Sequence, residues 1–532
     1  MAEHLRALLM ILVFASVIFA LARAPLTAQA CVPSDYKRRC TLWIVMTLVA
    51  FLSHSFWLFI AIAGLVLVMG LKSEPNRFAL YFGLMLALPP ISASLPGLGL
   101  FNELFAINFQ RLLALCVLLP AFVALCGSRS VEPHGRLWCD KLLLAYLGLE
   151  VVLTLPHRTV TSVLRDSVFY AFTDVWLPYY VASRAVRSLA VFRDTIAVFV
   201  VSTMVLSVIL AFEFARMRLL YSALAPAMGV FDYGWSTYLG RAEGMRAQGS
   251  IGHPLAAGYT CAVALGLYLY LRTRVPSGWK RHLGALVLVG GLVGALSRAP
   301  WVGAAMMLVL FVLLGPAPGR GLAQICGAVL ALVPLLIVTP QGRKVIDLLP
   351  WIGTVEAHNV EGRERLGQVA FKVFLETPFF GRYDVLSHPE MEALRGGHGI
   401  IDLVNTYAVV ALRGGGVSLA LFVGFFVVAM VGLFKGMRRI PDHADEQRVL
   451  GRALLVTLIG VLFMIGTMSP TLNVPTVYWC LGGLAVGYAQ MSAWRIADTP
   501  RAATMTGTLR RHVPRGGATR MSRAGATARR EV

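Results

Sequence analysis

The sequence predicts an all-α polytopic membrane protein with about 12 to 14 transmembrane helices and a helical loop domain outside the membrane. The first observation is composition: 57% of the 532 residues are hydrophobic and only 14% are charged, and the mean hydropathy is +0.71. A water-soluble domain could not cover so much apolar surface with polar groups. The second observation is that apolar runs of roughly 20 residues, the length that crosses a bilayer, recur along most of the chain.

The N-terminal segment, residues 1–40, predicts an anchor helix followed by a short cytoplasmic stretch. It has a basic start, an apolar run at 7–22 and the sequence AQA at 28–30, which resembles a signal-peptidase site. Cleavage there would leave the basic residues 37–39 outside the cytoplasm, against the positive-inside rule. An uncleaved anchor is therefore favoured over a removed signal peptide.

The remaining apolar runs predict how the rest of the chain is organised. Residues 41–71 fit either one long helix or a hairpin broken at residues 53–55. The clearest other spans are predicted at residues 189–213, 256–271, 322–339, 417–434, 450–467 and 474–491. The predicted divisions are an N-terminal bundle at 41–240, a central transmembrane part at 241–339, an external loop at 340–400, C-terminal helices at 401–491 and a basic disordered tail at 492–532.

The net charge of +21 predicts orientation rather than nucleic-acid binding. Residues 495–532 hold 9 arginines and 2 acidic residues among Gly, Ala, Thr and Ser, which is typical of a solvated, disordered tail. If the spans alternate, the tail and the short basic loops share the cytoplasmic face, and the polar segments 214–252 and 340–399 lie on the opposite face. Those basic loops are residues 37–39, 184–187, 272–281 and 438–439.

Neither a cofactor nor a metal is predicted. The 8 cysteines are scattered without a CxxC pair, so they indicate neither a disulfide framework nor a zinc site. The sequence has no Walker loop, HExxH or GxSxG motif, and no DxD in an external loop that could hold a metal for sugar-nucleotide chemistry.

The stretch GGHGIIDLVNTYAVVALRGGG at 396–416 carries polar residues at the start of an apolar segment. On a helix that enters the membrane from outside, His398, Asp402 and Asn405 are spaced i, i+4 and i+7 and so share one face. An imidazole one turn from a carboxylate is a usual arrangement for a general base. The alternative is that Asp402 and Asn405 cap this helix. The three closing glycines predict a kinked entrance to the next span.

A second polar set in the external segments is cationic. An arginine fork donates two hydrogen bonds at once, which suits it to phosphate oxygens. Surface ion pairing with nearby acidic residues is the alternative for most of these arginines, but not for Arg298, whose neighbours in LSRAPW are hydrophobic. The candidate phosphate-binding residues are Arg241, Arg246, Arg298, Arg363 and Arg365.

Ionisable residues also lie within predicted spans, at Arg111, Glu150 and Asp174. Charged groups at membrane depth are costly unless they pair with one another or line a polar pathway. An ion pair between Arg111 and one of the acidic residues is the simplest interpretation. A transport pathway is the alternative, and it leaves a non-enzymatic function open.

Motifs between residues 241 and 434 resemble the O-antigen ligase and O-antigen polymerase superfamily. Their order, with apolar spans between them, is more specific than any one motif alone. The chain departs from the ligase pattern in one place, because Val404 stands before Asn405 where ligases usually have histidine. The motifs are RAEGMRAQGSIGHPLAAG at 241–258, LSRAPWVGA at 296–304, ETPFFG at 376–381 and DLVNTYAVVALRGGG at 402–416.

The resemblance implies an integral glycosyltransferase of the bacterial inner membrane, with its main loop in the periplasm. Such enzymes take a glycan from undecaprenyl pyrophosphate and move it to lipid A core or to a polysaccharide, without a nucleotide or an obligatory metal. The arginines would hold the pyrophosphate, and Asp402 or His398 would be the base. The missing His-Asn pair leaves either a His398–Asp402 dyad or Asp402 acting alone, and Asp402 is favoured because it lies closer to Asn405 along the helix. Ligase and polymerase both stay open, and a flippase of lipid-linked glycan is the alternative from another class.

Overall fold

The computed structural model describes most of residues 3–509, and for residues 332, 335–336, 357–363 and 494–509 it describes only the helical backbone. Within these limits helices dominate, and the strands form only two small antiparallel hairpins. The residues outside the description are 1–2, 98–102, 130, 134, 231–237, 242–243, 277, 340–356, 394, 396–400, 402 and 510–532.

Sixteen main helices follow one another along the described chain. The first eight are α1 Glu3–Thr27, α2 Pro33–Leu52, α3 Phe56–Leu71, α4 Arg77–Leu84, α5 Phe109–Cys126, α6 Trp138–Thr154, α7 at residues 160–185 and α8 Leu189–Arg216. The others are α9 Pro254–Leu271, α10 Trp279–Gly294, α11 Arg298–Leu313, α12 Pro318–Val338, α13 Ala357–Glu376, α14 Thr406–Arg438, α15 Glu446–Ile465 and α16 Val474–Leu509. The strands are β1 Ser92–Pro96, β2 Glu103–Asn108, β3 Gly240–Arg241 and β4 Gly244–Met245.

The predicted class, an all-α polytopic membrane protein, is confirmed. In the described part of the chain, 6 helices are long and apolar enough to cross a membrane, namely α1, α5, α8, α9, α14 and α15. The helices α3 and α11 are apolar but shorter. The total of about 12 to 14 spans therefore stays a prediction. Residues 41–71 form two helices broken at residues 53–55 rather than one long helix, because α2 ends at Leu52 and α3 begins at Phe56.

One end of the bundle gathers the basic loops and is called the basic end. Arg39 bonds both Glu74, at 2.6 Å, and Asp194 at the start of α8, also at 2.6 Å. Glu446 at the start of α15 pairs with Arg193 at 3.0 Å and with the Arg274 guanidinium at 3.7 Å. These pairs place the loops before α8, after α9 and before α15 on the same side of the molecule, as alternating spans require.

The opposite end, called the polar end, is defined by residues 296–298, 405–406 and 466–469. Helices α11 and α15 run antiparallel in close contact, because a Cβ on Gly303 would lie 2.6 Å from Met464 Cγ. Arg298, at the start of α11, is therefore beside the last turn of α15. The Thr406 hydroxyl donates to the Met468 carbonyl at 2.7 Å, which places the start of α14 at this same end.

Candidate functional site

A short hairpin at the polar end carries two of the predicted phosphate-binding arginines. Strands β3 and β4 pair, and Arg241 and Arg246 lie on either side of their turn. Arg241 donates from Nη1 to the Leu296 carbonyl at 2.7 Å, and Arg246 donates from Nη2 to the Ser297 hydroxyl at 3.0 Å. Because Ser297 directly precedes Arg298, three of the five predicted arginines converge on one turn.

The carboxylate of Glu213 holds this hairpin in place. It is buried at the end of α8 and accepts backbone N–H bonds from Leu220 at 2.8 Å, Gln248 at 3.0 Å and Gly249 at 2.9 Å. Gly249 has φ +54°, and a Cβ there would lie 2.5 Å from a Leu206 methyl group, so a side chain does not fit. Glu213 is not among the predicted site residues, although a lone acid ending an apolar run was a signal for it.

Arg298 combines its own charge with the start of a helix. It is the first residue of α11 and is partly buried. The first N–H groups of a helix have no partners within the helix and carry partial positive charge, which favours an anion. The guanidinium and the helix start together make this turn suitable for a phosphate group.

The predicted helical face with His398, Asp402 and Asn405 is corrected by the position of α14. This helix begins at Thr406, and the described residues 401 and 403–405 are not helical, so the i, i+4, i+7 argument does not apply. Asn405 is the N-cap, and its side-chain oxygen accepts from the Ala408 N–H at 3.1 Å. The capping alternative is therefore confirmed for Asn405, while His398 and Asp402 lie outside the described residues.

Replacing Asn405 separates a capping role from a chemical one. Asn405→Ala is expected to destabilise the protein by about 1 kcal/mol, because the first turn of α14 loses its cap. Asn405→Ser keeps a capping oxygen, so its thermal unfolding in detergent should match that of the wild type. If Asn405→Ser folds normally but is inactive in the glycan-transfer assay proposed below, the amide has a chemical role beyond capping.

An apolar groove of about 540 Å³ opens beside the start of α14. Phe371 and Phe374 of α13 form one wall, and Ala408 and Ala411 of α14 form the other. Asn405, Tyr407 and Thr467 add polar groups to the lining. Since Asn405 and Thr467 belong to the polar end, the groove opens at the same end of the bundle as the arginine hairpin.

The segment at 376–388, which belongs to the loop predicted to be external, is fastened to α14 at a glycine break. Gly415 has φ 70° and ψ −172°, which interrupts the helix and confirms the predicted kink. The freed Gly416 N–H donates to the Pro378 carbonyl at 2.7 Å, and the Arg382 N–H donates to the Leu412 carbonyl at 2.8 Å. Two motifs that the sequence shows separately, ETPFFG and the triple glycine, therefore bind each other through backbone hydrogen bonds.

A second fastening of the loop uses residues that the sequence analysis did not single out. The Tyr383 ring stacks on His157, with centroids 5.6 Å apart. Its hydroxyl accepts from Arg158 Nε at 2.8 Å. The segment after α13 is thus held by the α6–α7 connection as well as by α14.

Of the two loop arginines of the predicted site, only the side chain of Arg365 is described, and it differs from the other three arginines. Arg365 is exposed on α13, and within the described residues no hydrogen bond or ion pair joins it to the hairpin. The side chain of Arg363 is not described. Elsewhere in the loop, Lys372 pairs with Glu390 at 2.5 Å, as the surface-pairing alternative predicts.

The predicted pairing of Arg111 is confirmed. Its guanidinium bonds the Asp174 carboxylate at 2.9 Å and lies 3.4 Å from the centroid of the Tyr170 ring. It also donates to the Ala106 carbonyl at 2.8 Å. Glu150 does not take part in this pair. The charge of Arg111 is thus balanced by a carboxylate inside the bundle.

Similarity to known proteins does not assign this site. No protein-family model matches the chain, and no curated protein matches it. Among the described residues, no group of three or more His, Cys, Asp or Glu is placed to hold a metal ion. The function is therefore argued from the hairpin, the start of α11 and the groove.

Proposed function

We propose that this protein is a membrane glycosyltransferase of the O-antigen ligase type. It would transfer a glycan from undecaprenyl pyrophosphate to a hydroxyl of lipid A core or of a polysaccharide, on the periplasmic face of the bacterial inner membrane. The observation that carries the proposal is the convergence of Arg241, Arg246 and Arg298 at the polar end, the same end of the bundle at which the apolar groove opens. A polysaccharide polymerase of the same superfamily would use the same arrangement.

The chemistry needs cations and one base. The acceptor oxygen attacks the anomeric carbon, the bond from that carbon to the pyrophosphate oxygen breaks, and the sugar inverts. Arginine forks and the start of α11 stabilise the negative charge that develops on the pyrophosphate. A carboxylate or imidazole takes the proton of the acceptor hydroxyl. We assign the base to Asp402, with His398 as the alternative.

The groove accounts for the lipid part of the donor. Its walls are the phenylalanines of α13 and the alanines of α14, which suit an isoprenoid chain. Its polar rim at Asn405 and Thr467 lies at the end where a pyrophosphate would meet the arginines. The donor would thus have its tail beside α13 and its charged group at the turn before α11.

Orientation follows from the charge distribution. The basic loops at 37–39, 272–281 and 438–439 would face the cytoplasm together with the C-terminus. The polar end, and with it the loop at 340–400, would then face the periplasm. Lipid-linked glycans are available to a transferase on that side only after export, so the face on which they accumulate tests the function.

The decisive experiment is deletion of the gene in the native host, followed by complementation with wild type, Asp402→Asn or His398→Ala. Lipid-linked glycans are expected to accumulate where an added glycosidase reaches them in spheroplasts. Wild type should clear them and Asp402→Asn should not, at equal protein levels. If Asp402→Asn restores glycan transfer and His398→Ala does not, His398 rather than Asp402 is the base. Accumulation on the cytoplasmic face instead would contradict a transferase and indicate a flippase.

The flippase alternative depends on charged residues within the bundle, and Asp174→Asn tests it. Asp174→Asn leaves the largely buried Arg111 without its carboxylate, so it is expected to destabilise the protein by about 3 kcal/mol, and only the folded protein is compared. A transferase should then keep most of its activity, measured as transferred glycan per folded protein. Complete loss of glycan export in a folded Asp174→Asn protein would favour transport.

A further inference from the structure

A second cavity, of about 240 Å³, lies toward the basic end, where α11 turns into α12 against α15. Its polar lining consists of Arg452 from α15 and of Arg320 and Gln324 from α12. No carboxylate lines it within the described residues. The cavity is thus cationic, and it is separate from the proposed transfer site because α11 and α15 run from one end of the bundle to the other.

Arg452 is buried without a partner for its charge. Only 9% of the residue is exposed, although it lies in a helix apolar enough to span a membrane. Its guanidinium carbon is 3.9 Å from the centroid of the Phe311 ring, and its Nε has no hydrogen-bond partner among the described residues. No carboxylate of the described chain is paired with it. A charge in this position is costly unless something outside the chain binds it.

Other buried arginines of the molecule show the contrast. Arg39 is held by Glu74 and Asp194, and Arg184 is paired with Asp140 in a fully buried contact. Each of these charges is compensated inside the protein, as is usual for buried ions. Among the described residues, no carboxylate compensates Arg452 on the side where the cavity opens.

The local sequence keeps space beside the Arg452 guanidinium. A Cβ on Gly315 would lie 3.0 Å from Arg452 Nη1, so a larger residue would press on it. A Cβ on Gly321 would lie 2.4 Å from a Val312 methyl group, so glycine allows α12 to approach α11 closely. Arg320 is exposed at the rim, in the first turn of α12. Two guanidinium groups can therefore reach one anion from the inside and the outside of the cavity.

The surface next to the cavity is apolar. Beyond Gln324, α12 exposes a row of large hydrophobic residues that other described parts of the chain leave uncovered: Val329, Leu330, Val333 and Val338. A ligand with a charged head at the cavity and hydrocarbon chains along α12 would match both features. A small water-soluble anion would match only the first.

We propose that Arg452 and Arg320 bind the phosphate of an anionic phospholipid whose acyl chains lie along α12. The guanidinium forks donate to the phosphate oxygens, and Gln324 can donate to the headgroup. Such a lipid would supply the negative charge that the buried Arg452 lacks. The site is independent of glycan transfer, so it can be tested without the donor.

The test is titration of the full-length protein, purified in a neutral detergent, with dioleoyl-phosphatidylglycerol, and native mass spectrometry of the bound lipid. Arg452→Gln is expected to weaken binding about tenfold, because a charge-assisted hydrogen bond is lost. Arg320→Gln, at the exposed rim, should weaken it roughly fivefold. The matched control is Arg438→Gln, because Arg438 is also at the basic end and over a phenyl ring, 5.1 Å from the Phe434 centroid, but is exposed.

The proposal is supported if Arg438→Gln binds phosphatidylglycerol like wild type. It also requires that Arg452→Gln weakens the binding of phosphatidylcholine, whose choline offsets the phosphate charge, less than the binding of phosphatidylglycerol. Equal weakening in Arg438→Gln would mean nonspecific attraction and would overturn it. Displacement of the lipid by millimolar inorganic phosphate would assign the cavity to a free anion instead. If Arg452→Gln does not fold, Arg320→Gln serves as the test. Undiminished binding of phosphatidylglycerol by Arg320→Gln would then reject the site.

Discussion

Arg298→Ala is expected to lower glycan transfer by roughly 100-fold to 1,000-fold, the range seen when one donor to a developing negative charge is removed. The reason is that Arg298 provides a guanidinium at the start of α11, where the helix dipole also favours negative charge. Alanine is a good helix former, so α11 should still form. The measurement is transfer of lipid-linked glycan to acceptor by purified protein, normalised to folded protein.

Two further variants define the cause of the loss. Arg298→Lys keeps the charge but not the fork, and we expect it to restore only part of the activity. Arg438→Ala removes the same charge at the basic end and should leave transfer unchanged. If Arg298→Ala transfers glycan as fast as Arg438→Ala does, the proposed pyrophosphate site is wrong.

Gly415→Ala is expected to destabilise the docking of the external loop on α14 by about 3 kcal/mol or more. The backbone of Gly415, with φ 70° and ψ −172°, occupies a region that is essentially restricted to glycine. In addition, a Cβ there would lie 2.1 Å from the Phe379 carbonyl oxygen. The variant should show rapid protease cleavage between residues 377 and 388 and a lower unfolding temperature, and it should transfer glycan poorly because the groove loses its α13 wall.

Gly424→Ala is the matched control in the same helix. A Cβ at Gly424 would make only ordinary contacts with Leu142, at 3.9 Å, so this variant should resist protease like wild type. A Gly415→Ala protein with wild-type protease resistance would show that the loop does not depend on the break. Loss of resistance in both variants would point to general weakening of α14 instead.

Some features could be predicted because they depend on composition and local pattern. Apolar content and run length predict a polytopic helical protein, since the backbone must satisfy its own hydrogen bonds in lipid. The triple glycine predicts a break because only glycine enters the required backbone conformation without strain. The pairing of Arg111 follows from the cost of an isolated charge at membrane depth.

The start of α14 shows where pattern alone misleads. Apolar spacing allows a helix from before Asp402, but Asn405 caps α14 and the helix begins at Thr406. An asparagine competes with the helix by bonding its own nearby backbone, so it favours the boundary over the interior. The supposed catalytic face depended on that boundary, which hydrophobic periodicity does not determine.

By itself the sequence determined the membrane class, the side on which the basic loops gather, the glycine break and the arginines to consider. Only the tertiary structure decided that Glu213 holds the arginine hairpin, that ETPFFG docks on the triple glycine and that Arg452 is buried beside a cavity. The physical reason is the distance along the chain over which each effect acts. Composition and local conformational preference act within a few residues, whereas these contacts join segments far apart in the chain and depend on how the helices pack.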